Sequence, residues 1–375
     1  MIKASIPYFT EEDIEYIQEK FSGILRDGGY LSTGQYTEAF EREFADYIGT
    51  KYAIACNSGT SALEIIFRSL DLSDKEVIIP SNTFIATANA VMNSGAIPVF
   101  ADCNAGLGLS FDDVVSKVGP RTGAICNVHI GGIISSEVIK ISNYCKENNI
   151  YFVEDAAQAH GSYDENEMAG NFGVAAGFSF FSTKVMTTGE GGMITTNEEE
   201  IYRKAKSLRE FGKQPNEIYT NIYERFGYNW RMPEVSSIIG LRQLKNLNLM
   251  IVKRKRIAEK YDSLLENNKN FIIHNGAKFF KGQNHYKYII ILNDGVNRDM
   301  LHLEFKKRGI QPSGYIYELP LHSMKIFEFI KSTNLPKTDS FCLRHFCLPI
   351  HPNLKDHEIE YISRSLIEIT NKFGV

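Results

Sequence analysis

No two of the six cysteines stand at Cys-x-x-Cys spacing, and none of the nine histidines falls in a His-Glu-x-x-His pattern. Zinc or dithiol chemistry therefore has no ligand set to start from. Cys56, Cys103, Cys126, Cys145, Cys342 and Cys347 lie in apolar segments and read as small core residues of a protein kept in a reducing compartment. No run approaches the ~18 apolar residues of a membrane-spanning helix. The start, Met1 to Pro7, carries no apolar signal core, so a cytoplasmic protein with no membrane partner is expected. Positive charge is not in surplus either: a formal net charge of -4 argues against nucleic acid as a partner. The one basic cluster, Lys253 to Arg256, falls inside a long helical pattern and is expected to be a solvated helix face. Internal repeats and low-complexity segments are absent.

What is present is an ordinary globular composition, 43% hydrophobic and 23% charged over 375 residues. That length supports one large domain and a smaller one. Thr10 with Glu11, Glu12 and Asp13 predicts a capped helix start, and Phe40, Phe44 and Ile48 share one face of a second helix. Between them, Gly28 to Gly34 reads as a loop, either a plain connector or a flap over a ligand. From residue 51 the pattern becomes strand, turn, helix, repeatedly. Strands are predicted at Tyr52 to Cys56, Glu76 to Pro80, Ile97 to Asp102, Gly123 to His129, Ile150 to Asp155, Gly177 to Phe181 and Met193 to Thr196. Helical stretches between them imply crossovers and an α/β fold with a mostly parallel sheet, whose ligands collect at the carboxyl ends of the strands. From Pro233 a long amphipathic stretch leads toward a smaller unit containing a strand at Tyr286 to Leu292 and helices at Arg298 to Arg308 and Lys355 to Phe373. The expected division is a large domain over 1–250 and a small C-terminal α+β domain over 251–375.

The stretch Phe178 to Gly192 delivers one lysine, Lys184, between an apolar strand and a glycine-rich turn. A lysine partly walled off from water loses part of its preference for the ammonium form, and a neutral amine attacks carbonyl carbon. Two other sites sit at predicted strand ends. Ser58, Gly59, Thr60 and Ser61 open a helix, where free amides and hydroxyls receive a phosphate, or where Ser58 simply caps the helix. Asp155 ends an apolar strand, so its carboxylate calls for a cationic partner such as a protonated pyridine nitrogen, or else caps the next helix. A phosphate cradle, a buried aspartate and a partly desolvated lysine together match the needs of pyridoxal 5′-phosphate: the lysine forms the Schiff base and the aspartate keeps the ring nitrogen protonated.

These motifs stand in an order that resembles the DegT/DnrJ/EryC1/StrS family of sugar aminotransferases, within the aspartate-aminotransferase-like (type I) fold of pyridoxal-phosphate enzymes. The resemblance rests on Gly34 to Gly49 (GQYTEAFEREFADYIG), Asn57 to Leu63 (NSGTSAL), Pro80 to Asn89 (PSNTFIATAN), Glu154 to Gly161 (EDAAQAHG), Phe178 to Gly192, Gly227 to Pro233 (GYNWRMP) and Pro320-Leu321-His322. It implies that Gly59, Thr60 and Ser179 take the cofactor phosphate, joined by Asn229 from the neighbouring subunit of a homodimer with shared active sites. It also implies that Phe84 stacks on the ring, Asp155 meets the ring nitrogen, Gln158 meets the ring hydroxyl, and Lys184 is catalytic. From the residues alone, Phe84 as core, Ser179 as a satisfied strand hydroxyl and Asn229 as a turn residue stay open.

The resemblance further implies L-glutamate as amino donor and a nucleotide-linked keto-deoxysugar as acceptor, in the synthesis of surface polysaccharide. Relatives that act as dehydratases carry histidine where this chain has Lys184, which favours amination here. Many relatives follow a His-x-x-Gly stretch with proline and aspartate, whereas Val128 to Ser135 has neither. A smaller phosphorylated ketone therefore stands as the alternative acceptor, and a pyridoxal-phosphate sugar dehydratase as the alternative reaction. Tyr315, Tyr317, His322 and Lys331 are the candidates to contact the phosphate or sugar of the acceptor, with surface or core roles equally open.

Overall fold

Thr10 caps the first helix by accepting the Asp13 amide while the Asp13 carboxylate returns to the Thr10 amide, a reciprocal pairing that satisfies two otherwise orphaned donors. In the computed structural model, which describes residues 1–165, 167–214, 221–277, 281–314, 316–330 and 334–373, this helix, α1, covers Glu11–Asp27 and is followed by α2 (Gln35–Ile48). Then come β1 (Tyr52–Cys56), α3 (Gly59–Ser69), β2 (Glu76–Pro80), α4 (Ile85–Asn93), β3 (Ile97–Ala101), α5 (Phe111–Lys117), β4 (Thr122–Val128), α6 (Val138–Glu147) and β5 (Tyr151–Asp155). A small ribbon, β6 (Tyr163–Asp164) and β7 (Glu167–Met168), precedes β8 (Ala175–Ser179), β9 (Gly192–Thr196), α7 (Glu199–Arg209) and α8 (Glu234–Leu265). The remainder supplies β10 (Phe271–Ile273), β11 (Tyr288–Leu292), α9 (Arg298–Lys307), α10 (Pro336–Arg344), β12 (His345–Leu348) and α11 (Asp356–Phe373).

Seven strands form one sheet in the order β1-β9-β8-β5-β4-β2-β3. Pairing is parallel from β8 through to β3, while β9 runs antiparallel to both of its neighbours. The start of β9 at Gly192 therefore lies level with the ends of β1 at Cys56 and β8 at Ser179. One edge of the sheet thus gathers the carboxyl ends of β1, β8 and β5.

Side-chain alternation assigns the two faces. Ile54 and Cys56 of β1 pack with Leu63, Ile66 and Phe67 of α3 and with Leu208 of α7. Ala53 and Ala55 point the other way, toward Phe40 and Phe44 of α2 and Leu244 and Leu247 of α8. Both faces are covered, which is why these strands read as continuous apolar runs. Each fully buried phenylalanine contributes about 1.5–3 kcal/mol by leaving water.

The helix α8 is continuous across residue 250. Its first half packs on the large sheet, and its second half, through Ile257, Ala258, Tyr261 and Leu265, packs on the three-stranded antiparallel sheet β10-β11-β12. Arg254 corrects the expectation of a wholly solvated basic cluster. It is 2% exposed, its Nη1 donates to the carbonyls of Ile350 (2.9 Å) and His285 (3.3 Å), and burial lowers its pKa to about 10. Helical rotation places it on the inner side while Lys255 and Arg256 face solvent.

Two predicted strands shift by more than one residue. The strand expected at Gly177 to Phe181 is β8 and ends at Ser179, which puts Lys184 in the turn that follows. The strand expected from Tyr286 starts at Tyr288, leaving Tyr286 and Lys287 just before it. Among the described residues no helix is long and apolar enough to cross a membrane, and all six cysteines are free and buried.

Candidate active site

Ser58 is the N-cap of α3: its hydroxyl accepts the Ser61 amide at 3.1 Å, and its carbonyl accepts the Ala62 amide at 3.0 Å. Of the first four amides of the helix, those of Gly59 and Thr60 remain to be met from outside it. Gly59 lies so close to β8 that a Cβ there would fall 2.7 Å from Ser179 Cβ. At the head of β9, a Cβ on Gly192 would meet the Ser58 carbonyl oxygen at 2.2 Å. Only hydrogen at both positions lets α3, β8 and β9 converge, and the result is a ring of small groups at a helix N-terminus, a setting that attracts phosphate.

Asp155, the last residue of β5, is 6% exposed. Its Oδ2 accepts from the Thr87 hydroxyl at 2.7 Å and its Oδ1 from the Ala157 amide at 3.1 Å. Neither partner is a cation, and burial outweighs both bonds, so its pKa is raised above the usual carboxylate range. An arriving positive charge would relieve that cost.

Lys184 is anchored by its amide on the Phe181 carbonyl at 2.9 Å, in a loop further tied to the Phe180 carbonyl by Thr187 and Thr188. Its Nζ lies 5.1 Å from the centre of the Tyr286 ring. The Tyr286 hydroxyl is 3.3 Å from Thr183 Oγ1. Burial alone would raise the Tyr286 phenol; Lys184, then Lys287, the Thr183 bond and Arg254 together outweigh it and bring the pKa down to about 8.

These groups line one cavity of about 400 Å³. Of the residues singled out in the sequence, it brings together Gly59, Thr60, Phe84, Asp155, Gln158, Ser179, Lys184 and Tyr317. Phe84, 61% exposed at the N-cap of α4, offers an aromatic face to the cavity rather than to the core. Gln158 Nε2 donates to the Tyr317 hydroxyl at 2.6 Å, and its Oε1 accepts the Gly131 amide at 2.7 Å.

Two expected residues are elsewhere in this chain. His322 Nδ1 sits 2.8 Å from the Ser81 hydroxyl and its Nε2 3.3 Å from Asp339, away from the cavity wall. Asn229 bridges to Glu210 on a surface loop. Tyr315 and Lys331 lie outside the described residues. Tyr286, Lys287, Thr183 and Glu190 line the cavity without having been anticipated. Tyr286 and Lys287 read as ordinary members of an alternating strand, so only their place at the strand's start marks them.

The fold is aspartate-aminotransferase-like, and a lysine, a buried aspartate and a helix-start cradle meet at its strand edge, an arrangement that suits the pyridoxal-phosphate class. The profile of the DegT/DnrJ/EryC1/StrS aminotransferase family matches residues 11–367, and the chain belongs to that family. It is 31% identical over 377 residues to the dTDP-4-dehydro-2,3,6-trideoxy-D-glucose 4-aminotransferase of Saccharopolyspora spinosa, with 97% of this chain and 95% of that one covered. Its fold superposes with a TM-score of 0.92 on Helicobacter pylori PseC, an aminotransferase involved in the biosynthesis of pseudoaminic acid, at 27% identity with 99% of each chain covered. A sugar-aminotransferase candidate from Streptococcus pneumoniae, in its PLP form, matches with a TM-score of 0.88 at 27% identity over 99% of each chain.

Proposed function

We propose that this chain transfers the amino group of L-glutamate to the keto carbon of a nucleotide-linked keto-deoxysugar, using pyridoxal 5′-phosphate. The observation that carries the reading is the convergence on one cavity of Lys184, of Asp155 with no ion-pair partner among the described residues, and of the open amides of Gly59 and Thr60. The residues fit the cofactor: the glycine at 59 leaves the cradle open, and Asp155 awaits a positive charge. The bound cofactor would supply a conjugated ring that stores the electron pair released at the substrate carbon.

The protein's own groups would do the rest. Asp155 holds the proton on the ring nitrogen; Phe84 covers a ring face; Gln158, fixed by Gly131 and Tyr317, aims its remaining amide N–H; Ser179 and Thr60 offer hydroxyls to the phosphate. Lys184 Nζ would take the proton from the donor carbon that bears nitrogen and, in the reverse direction, deliver one to the acceptor carbon that becomes aminated. The name of the Saccharopolyspora relative, a 4-aminotransferase of a dTDP-linked 4-dehydro sugar, supports the acceptor class; glutamate rests on the family resemblance.

The reading includes a cytoplasmic homodimer in which Asn229 of one chain completes the phosphate site of the other. Phe226 at 94% exposure and Tyr30 at 84% support it, since aromatic side chains left this open on a monomer suit burial against a second copy.

The test is a visible absorption spectrum of protein incubated with pyridoxal 5′-phosphate and dialysed, followed by L-glutamate. A yellow protein that bleaches with glutamate is expected. Protein that dialyses colourless would overturn the assignment.

A further inference from the structure

Lys287 stands directly before β11 and lines the same cavity as Lys184. Its backbone is held on both sides: its carbonyl accepts Asn275 Nδ2 at 2.7 Å, and the preceding Tyr286 amide donates to Asn284 Oδ1 at 2.9 Å. The side chain is fixed as well, with Nζ donating to Ser313 Oγ at 2.8 Å and to the Ser313 carbonyl at 3.1 Å. An ammonium has three donors, so one N–H is left. Among the described residues no carboxylate pairs with Lys287, in contrast to Lys204, Arg209, Arg242 and Lys260, each of which meets at least one. The Lys287 ammonium lies 5.3 Å from the Tyr286 ring centre, against 5.1 Å for that of Lys184. Both cations therefore border the same tyrosine ring.

We infer that Lys287 is the subsite for an oxyanion of the substrate, a carboxylate or a phosphate, bordering the same tyrosine ring as the reacting lysine. The inference rests on the aminotransferase reading above. Of the charged groups lining the cavity, Asp155 is committed to the cofactor ring and Lys184 to the reacting carbon. Glu190 would repel an anion, so among the described residues Lys287 is the cation left for the substrate. The proposed donor carries two carboxylates and the proposed acceptor carries phosphates, and both must occupy this cavity in turn. A lysine is a compact point charge that accepts either group without the planar, two-pronged geometry that an arginine imposes.

The experiment compares wild type, Lys287→Met, which keeps the length and removes the charge, and Lys287→Arg. Succinate and inorganic pyrophosphate are titrated calorimetrically into each, loaded with cofactor and free of it. Hydrogen bonds to charged groups run to roughly 1.5–3 kcal/mol, so Lys287→Met should weaken at least one probe by about tenfold to a hundredfold. Lys287→Arg should recover part of the loss, and the resting visible spectrum should stay unchanged. A loss confined to succinate assigns the site to a carboxylate; one confined to pyrophosphate assigns it to a phosphate. Unchanged affinity for both probes in Lys287→Met overturns the inference. A wild type that never takes up cofactor refutes the function proposed above, yet the titrations on cofactor-free protein still decide the subsite.

Discussion

The Thr87 hydroxyl, in the first turn of α4, donates to Asp155 Oδ2 at 2.7 Å, and Thr87 is in turn 2.8 Å from the hydroxyl of Thr83. This chain aims the carboxylate but does not neutralise it. Asp155 is raised above the usual carboxylate range by burial, so in the cofactor-free protein its ionised form costs stability. The sign follows: a raised folded-state pKa gives stability that is full below the unfolded value and is lost as pH rises through the folded one. Asp155→Asn should therefore make the cofactor-free protein more stable at neutral pH, by thermal or urea unfolding, while lowering turnover by at least about a hundredfold, the scale of a single buried electrostatic contact in catalysis. Thr87→Val should weaken cofactor retention on dialysis by about tenfold, as expected for one bond to a charged group. An Asp155→Asn protein that turns over normally would remove the aspartate from its proposed role.

Gly59 should tolerate no side chain. Its Cβ would sit 2.7 Å from Ser179 Cβ and 3.1 Å from Ser179 Cα, so Gly59→Ala must push α3 off β8. Overpacking of this kind costs about 1–3 kcal/mol, and the same shift should lower cofactor affinity. Gly119, with nothing within 4 Å of its would-be Cβ, is the control, and Gly119→Ala should change stability by less than about 0.5 kcal/mol. Equal urea midpoints for the two variants would contradict the account of the cradle.

The cradle and the aspartate were legible because chemistry and position coincide in the sequence: Ser58 to Ser61 follow one apolar strand, and Asp155 ends another. The central strands were legible for the same reason that they are buried on both faces. The small C-terminal sheet was less so. Strands β10 and β12 have only three and four residues, too short to show a period, and β12 pairs with a strand far back in the chain. Tyr286 and Lys287 escaped because their value depends on Arg254, Asn275 and Asn284 fixing the backbone where it meets the large domain. Arg254 itself was misread as surface because charge alone does not report which side of a helix faces inward.

If Asn229 completes the partner's site, two inactive proteins should repair each other. Lys184→Ala and Asn229→Ala are to be purified separately, unfolded or dissociated together and reassembled. In a mixed dimer, one of the two sites pairs the intact Lys184 of the second variant with the intact Asn229 of the first. Random reassembly should restore roughly a quarter of wild-type turnover, since about half of the dimers are mixed and each holds one intact site. Activity no greater than the sum of the two separate variants would mean that each chain builds its site alone.

Tyr286 gives a reading of the cavity's charge that needs no substrate. Its phenol, ordinarily near 10, lies at about 8, because Lys184 and Lys287 together with the Thr183 bond overcome the burial that would raise it. In cofactor-free protein, the phenolate absorbance present in wild type and missing in Tyr286→Phe should appear with a midpoint near 8. Lys184→Met should shift that midpoint up toward the ordinary phenol value, and further than Lys287→Met does, because Lys184 is the larger influence. A lowered folded-state pKa contributes stability that is full above the unfolded value of about 10 and is lost as pH falls through the folded one. Wild type should accordingly gain stability relative to Tyr286→Phe as pH rises from about 8 to about 10. A wild-type phenolate midpoint at the ordinary value would show that the Lys184 ammonium does not act on this ring, and the paired-lysine geometry would lose its electrostatic meaning.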